Sequence, residues 1–419
     1  MNNTQANDQS RWYQLVLLAV AVLFSLSLWF SVSAIGPLVK TDWALSEGGQ
    51  AWLTMSVQLG FVLGTLFSAI TNLADRIVGH KLVAISALFG GLANGMIAIF
   101  LDGSSSSGFA AIVVLRFLTG VAMAGVYPPG MKLMASWFQR DRGLAIGILV
   151  GALTVGSASP HLFQVVPWND WLGESKMELW RYVLLTSSCG ALVASLLAFL
   201  FIRPGPHVGK SAQFNWRYFV TIWKDEGVRR ANFGYLGHMW ELYAMWASVP
   251  VFLLACFENA GWDAQWGRMI AFAAIAIGGP GCVIAGLFAD RVGRCWTTSV
   301  SMIVSGGCAL ITGFCLEMPT VAIVLDLIWG FAVVADSAQF STSVSELCDP
   351  QFVGTALTIQ TCCGFLLTMI TIRLVPLIQD QAGWGWGFAI LAIGPAFGVW
   401  HMLKLRLMPE AKLLAQGNR

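Results

Sequence analysis

Twelve times along this chain, about twenty consecutive residues pass with almost no charge, and that recurrence leaves few folds open. A run of that length crosses a bilayer as one helix, since each residue advances about 1.5 Å and the hydrocarbon layer is about 30 Å thick. The runs fall roughly at residues 12–39, 48–70, 82–101, 108–134, 143–166, 180–202, 229–256, 266–288, 296–315, 319–342, 352–377 and 384–405. None alternates apolar with polar as a barrel strand would, so each must satisfy its own backbone as a helix. Of the 419 residues, 57% are hydrophobic and 11% charged, against about a quarter charged in soluble domains. The net charge of +2 carries no nucleic-acid signal. The nine cysteines lie in or beside apolar runs with no C-x-x-C pair. They read as small buried hydrophobes, neither a disulfide framework nor a metal site. The first run is too long for a signal-peptide core and lacks a small-residue cleavage site, so it is expected to be retained.

Lysine and arginine set the expected orientation. With the N-terminus in the cytoplasm, 17 of the 24 fall on the cytoplasmic side and 4 outside, while Arg116, Lys132 and Arg373 lie within spans. Both termini are therefore expected to be cytoplasmic, in a plasma-membrane protein. The longest polar stretch, Arg203 to Glu226, divides the spans six and six. Residues 1–202 and 229–419 are expected to form two bundles, with 203–228 as the linker. The halves repeat at an offset of about 210–215 residues. Asp75-Arg76 matches Asp290-Arg291, Arg116-xxx-Gly120 matches Asp326-xxx-Gly330, and Gly143-x-Ala145 matches Gly354-x-Ala356. Such repeats mark secondary transporters, whose site lies between the halves near the membrane midplane.

These residues resemble the major facilitator superfamily over nearly the whole chain. The family's loop 2–3 signature, G-x-L-a-D-R-x-G-R-K, is kept in the second half as Gly286, Ala289, Asp290, Arg291, Gly293 and Arg294. The first half keeps Leu73, Ala74, Asp75, Arg76, Gly79 and Lys81, with Thr71 for the first glycine, one extra residue, and His80 for arginine. Arg116 with Gly120 resembles the family's span-4 signature. Trp137-Phe138, Arg142-Gly143, Ala145 and Gly147 are similar to the start of span 5 in organic-anion and monocarboxylate members. The signatures of sugar porters, nitrate porters and drug antiporters are absent. The resemblance implies an all-α membrane protein of twelve helices in two pseudo-symmetric six-helix bundles. It implies a cavity lined by spans 1, 4, 7 and 10. It also implies that Asp75, Arg76, Asp290, Arg291 and Arg294 form a gating latch.

Arg116 stands out because a charge in hydrocarbon is expensive unless it meets a partner or water. Its planar fork suits a carboxylate, so it is a candidate substrate ligand; a structural brace within the first bundle is the alternative. Tyr127 lies on the same helical face, where Tyr127-Pro128-Pro129-Gly130 should bend span 4. In span 7, Glu241 is a candidate proton carrier, with His238 one turn away to share the proton. Trp240 and Tyr243 flank them as an aromatic wall that suits an organic substrate or plain packing. Span 10 offers Asp326, Asp336 and Ser337, and span 11 offers Gln360. Asp326 and Asp336 are candidates for coupling; an Asp326–Arg373 pair is the alternative for the first. Ser337 and Gln360 are candidate substrate contacts. No nucleotide, metal or nucleophile motif is present, so no cofactor and no enzymatic activity are expected. The expectation is a monomeric transporter carrying a small organic anion by alternating access, coupled to protons as a symporter. The alternative is a proton-coupled antiporter or exporter of a more hydrophobic compound.

Overall fold

Helix is the only regular structure among the described residues, as the apolar runs require. The computed structural model describes residues 3–138, 142–168, 170, 177–207, 214–215 and 217–418. Eleven helical tracts within them are long and apolar enough to cross a bilayer. The last, Val353–Leu407, has 55 residues, about 80 Å if it ran straight as one helix. Gly383, with φ 83° and ψ 170°, breaks it near the middle. The expected spans 11 and 12 are therefore joined through a single left-handed residue rather than a loop, a conformation that glycine adopts without strain.

The first compact unit is Met1–Ser211. It contains α1 (Asn3–Val39), α2 (Glu47–Ile70), α3 (Leu73–Arg76), α4 (Gly79–Phe100), α5 (Ser106–Met123), α6 (Tyr127–Ala135), α7 (Arg142–Phe163) and α8 (Leu179–Leu200). Serines start two of them: Ser46 Oγ accepts from Gly49 N–H and Ser105 Oγ from Gly108 N–H, both at 3.1 Å. Helix α1 packs on α7 and α8, α2 on α5, and α4 on α5 and α8. One end of the core gathers Val32, Ile35, Leu53, Ile97 and Ile112 around an edge-on Trp43–Trp180 pair 5.2 Å apart.

The second unit is Ala212–Arg419. It contains α9 (Arg217–Lys224), α10 (Glu226–Asn259), α11 (Ala264–Ala276), α12 (Gly278–Val292), α13 (Arg294–Ile311), α14 (Pro319–Ala335), α15 (Ser337–Leu347), α16 (Val353–Ala389) and α17 (Ile393–Leu407), then a 3₁₀ segment, Pro409–Gly417. Helix α10 is central, touching α11, α14, α15, α16 and α17.

Span 4 and span 10 are each broken at matching places in the repeat. Span 4 divides between α5 and α6, and Pro128 and Pro129 fall in the first turn of α6. Proline has no N–H to lose there, so the helix restarts around it rather than bending through it. Span 10 divides at Asp336, which lies between α14 and α15.

Candidate functional site

In the first unit, Arg116 is fully buried and its donors are turned into the bundle. Nε donates to the Leu53 carbonyl at 3.2 Å, Nη1 to Leu28 at 2.8 Å, and Nη2 to Trp29 at 2.5 Å. Nη1 also lies 3.4 Å from both Ser31 Oγ and Asn94 Oδ1. Ser31 donates to Asn94 Oδ1 at 2.8 Å, and Asn94 Nδ2 donates to the Leu184 carbonyl and Ser188 Oγ, each at 3.1 Å. One network thus ties α1, α2, α4, α5 and α8 together. All three guanidinium nitrogens hold protein acceptors in this geometry. Tyr127 is half-buried at the start of α6.

In the second unit, Glu241 is 1% exposed and both its oxygens are held. Ser305 Oγ on α13 donates to Oε2 and Trp329 Nε1 on α14 donates to Oε1, both at 2.7 Å. His238 does not join Glu241. Its Nδ1 lies 2.9 Å from Asp336 Oδ1, with both side chains 1% exposed. The span-10 break brings Asp336 to α10, so an acid–base pair bridges spans 7 and 10 at the break. Asp326, fully buried, has no hydrogen-bond partner on either carboxylate oxygen among the described residues. No ion pair links it to Arg373 among them. Gln360, 1% exposed, likewise leaves its amide oxygen and nitrogen unpartnered. Ser337 opens α15, half-buried.

The aromatic residues of span 7 are divided among neighbours. Trp240 donates Nε1 to the Ile390 carbonyl at 3.1 Å and packs against Gly394 of α17. Tyr243 packs on Trp246 at 5.3 Å and on Phe365 of α16 at 5.0 Å.

At the loop between spans 8 and 9, Arg294 makes a two-pronged bond to Glu346 of α15, at 2.7 and 2.6 Å. It also donates to Gln339 Oε1 at 2.8 Å and lies 3.4 Å from Asp290 Oδ1. Asp290, Arg291 and Arg76 are exposed; the side chain of Asp75 lies outside the described residues. Sequence reasoning missed Ser305, Trp329, Asn94 and Glu346, because each acts through a contact far along the chain. It also missed Asn232 on α10, 1% exposed with neither amide atom partnered among the described residues. Its only sequence signal is an asparagine inside a span.

The profile of the Major Facilitator Superfamily matches residues 17–366. The hexuronate transporter of Escherichia coli (strain K12) is 22% identical over 94% of each chain. A putative tartrate transporter of Agrobacterium vitis is 28% identical over 40% of each. Among solved structures, a bacterial homolog of the human lysosomal transporter Spinster, inward-facing and occupied, superposes with a TM-score of 0.69 at 14% identity, covering 95% of this chain and 99% of that one. With the profile matched across most of its length and the helical fold shared, the chain belongs to the Major Facilitator Superfamily.

Proposed function

We propose that this chain carries a small organic anion across the plasma membrane by alternating access, as a proton symporter with both termini cytoplasmic. As a superfamily member it is a multi-pass membrane transporter and not an enzyme. The anion class is supported by relatives named for hexuronate and tartrate. The observation that carries proton coupling is Glu241, a membrane-buried carboxylate whose partners are a hydroxyl and an indole N–H, with no cation among the described residues. Such a group can release and regain a proton without breaking an ion pair. The His238–Asp336 pair one turn away offers a second proton-bearing station, and Asp326 a third.

In this reading Arg116 shapes the first bundle rather than holding the substrate. Gln360 supplies hydrogen bonds to the substrate, because its amide is buried with unmet capacity. Tyr127, Ser337, Trp240 and Tyr243 are assigned to the surroundings of the substrate. Asp75, Arg76, Asp290, Arg291 and Arg294 are assigned to gating.

Proteoliposomes test the proposal. With acid outside, a pH gradient should drive accumulation of a hydroxy acid such as glucuronate. Glu241→Gln should abolish gradient-driven accumulation while leaving exchange between internal and external substrate measurable. Full accumulation in that variant removes Glu241 from coupling. Proton influx driving efflux of an aromatic cation, with no carboxylate uptake, establishes the exporter instead.

A further inference from the structure

In the second unit, charged and aromatic side chains outside those assigned to transport above cluster where the start of α10 meets the end of α17. Arg230 Nη1 lies 3.2 Å from His401 Nδ1, and since a guanidinium only donates, the ring nitrogen is the acceptor. The other arm of Arg230 holds Glu226 at 2.8 Å. Its Nε is buried with no hydrogen-bond partner among the described residues. Its guanidinium carbon lies 5.6 Å from the Trp400 ring centre. Lys404 places Nζ 4.0 Å over the same ring. Arg229 donates to the Trp223 carbonyl at 3.1 Å and lies 3.9 Å from Glu226. Arg229 and Arg230 both reach Glu226, Glu410 packs beside Gly227 at the start of α10, and Lys404 makes no ion pair among the described residues. Asp225, the next acid along the chain, is turned away to cap α10 by accepting from Val228 N–H at 2.9 Å.

An apolar ridge runs into this cluster. Ile393, Phe397 and Trp400 of α17 are 56%, 42% and 50% exposed. With Lys404 they lie four, seven and eleven residues on from Ile393, one stripe of a helix. Exposed apolar side chains on a membrane helix meet acyl chains, and a lysine at the end of the stripe reaches for the headgroup layer. The stripe thus complements an anionic phospholipid along its length: apolar side chains for the acyl chain, then an indole, then positive charge for the phosphate. A free anion would use only the last of these.

We propose that this cluster and the exposed stripe leading to it form a binding site for one anionic phospholipid, its acyl chain on Ile393, Phe397 and Trp400 and its phosphate at Lys404, beside Arg230. The phosphate completes the cluster's charge, meeting the exposed Lys404 ammonium with the Arg230 guanidinium behind it. Binding would fasten α10 to α17 through a ligand, because Arg230 and Lys404 come from the two different helices.

Native mass spectrometry on the full-length protein in detergent tests this. Phosphatidylglycerol and phosphatidylcholine with identical acyl chains would be titrated separately, with inorganic phosphate and glycerol phosphate as headgroup controls. Phosphatidylglycerol should bind about tenfold tighter than phosphatidylcholine, as expected for one to two net cations after the nearby carboxylates are counted. Lys404→Gln, an exposed change that leaves the Arg230–His401–Glu226 contacts intact, should weaken phosphatidylglycerol about fivefold and leave phosphatidylcholine unchanged. Equal affinity for the two lipids, or no effect of Lys404→Gln, overturns the proposal. Tight binding of inorganic or glycerol phosphate alone makes the site one for a free anion and equally overturns it.

Discussion

At the scale of single residues, Arg116 and Glu241 differ in what surrounds them. Arg116 has backbone carbonyls from α1 and α2 at 2.5 to 3.2 Å, acceptors that no conformational change of a side chain can withdraw. Arg116→Lys keeps the charge but cannot reach three carbonyls in one plane. It should destabilise the first unit by about 2–4 kcal/mol, at about 1.5–3 kcal/mol for each bond lost from a charged group and partial compensation by the ammonium. Thermal unfolding measures this, and the half-saturation constant of the surviving protein should stay within about twofold of the parent. A tenfold rise in that constant with unchanged stability would return Arg116 to the substrate. Glu241 holds side chains instead, and side chains can exchange partners. Trp329→Phe leaves Oε1 without its donor and should cost about 1.5–3 kcal/mol. In Glu241→Gln the same substitution should cost less, and the difference in a double-mutant cycle is the coupling between the two. Additive effects would mean that the 2.7 Å contact contributes nothing.

At the scale of helices, the repeat carried more than topology. Gly120 and Gly330 occupy equivalent places, and each brings its helix against a carbonyl of a neighbour. A Cβ on Gly120 would overlap the carbonyl of Val57 in α2, and one on Gly330 that of Ala274 in α11. Either glycine→Ala change should cost about 1–3 kcal/mol through overpacking. Gly307→Ala in α13, where a Cβ meets nothing within 4 Å, should be neutral or stabilising by up to about 1 kcal/mol. Melting temperatures of the three variants, read side by side, check the contrast. These glycines were legible as Arg116-xxx-Gly120 and Asp326-xxx-Gly330 because a repeat exposes positions that do one job twice. Pro128-Pro129 marked the place of the span-4 irregularity but not its form: a bend was expected there, and the helix instead ends at Met123 and restarts at Tyr127. Partners were not legible. Helical spacing put His238 and Glu241 on one face, but a face four residues deep has several neighbours. The break at Asp336 decided that His238 meets an acid from span 10, while Glu241 turned to residues 64 and 88 positions away. The join at Gly383 was hidden for a similar reason: an apolar run marks where a span lies and not how it is connected.

At the scale of the molecule, each unit needs something to hold its loop-side ends together, and in the second unit part of that comes from the tail. Ala411, Leu414 and Ala415 are 0%, 0% and 5% exposed. Ala415 N–H donates to Glu346 Oε2 at 3.1 Å, the carboxylate already gripped by Arg294. Asn418 Nδ2 donates to the Asp290 carbonyl at 2.9 Å. Ala415 and Gln416 take left-handed backbone, φ 44° and 59°, to make this approach, a conformation that costs non-glycine residues about 1–3 kcal/mol each. The tail's contacts must exceed that strain, and burial of Leu414 alone supplies about 1.5–3 kcal/mol. Removing residues 409–419 should therefore destabilise the second unit by about 1–3 kcal/mol once lost burial is set against relieved strain. Hydrogen exchange locates the effect. It should quicken in 226–236, 286–294 and 339–347 and stay unchanged throughout the first unit. Glu346→Gln should reproduce the change in 286–294 and 339–347 while leaving 226–236 protected, because it weakens the Arg294 and Ala415 bonds without removing the buried leucine. Exchange that quickens equally in both units would show that the tail holds the whole molecule rather than its own half.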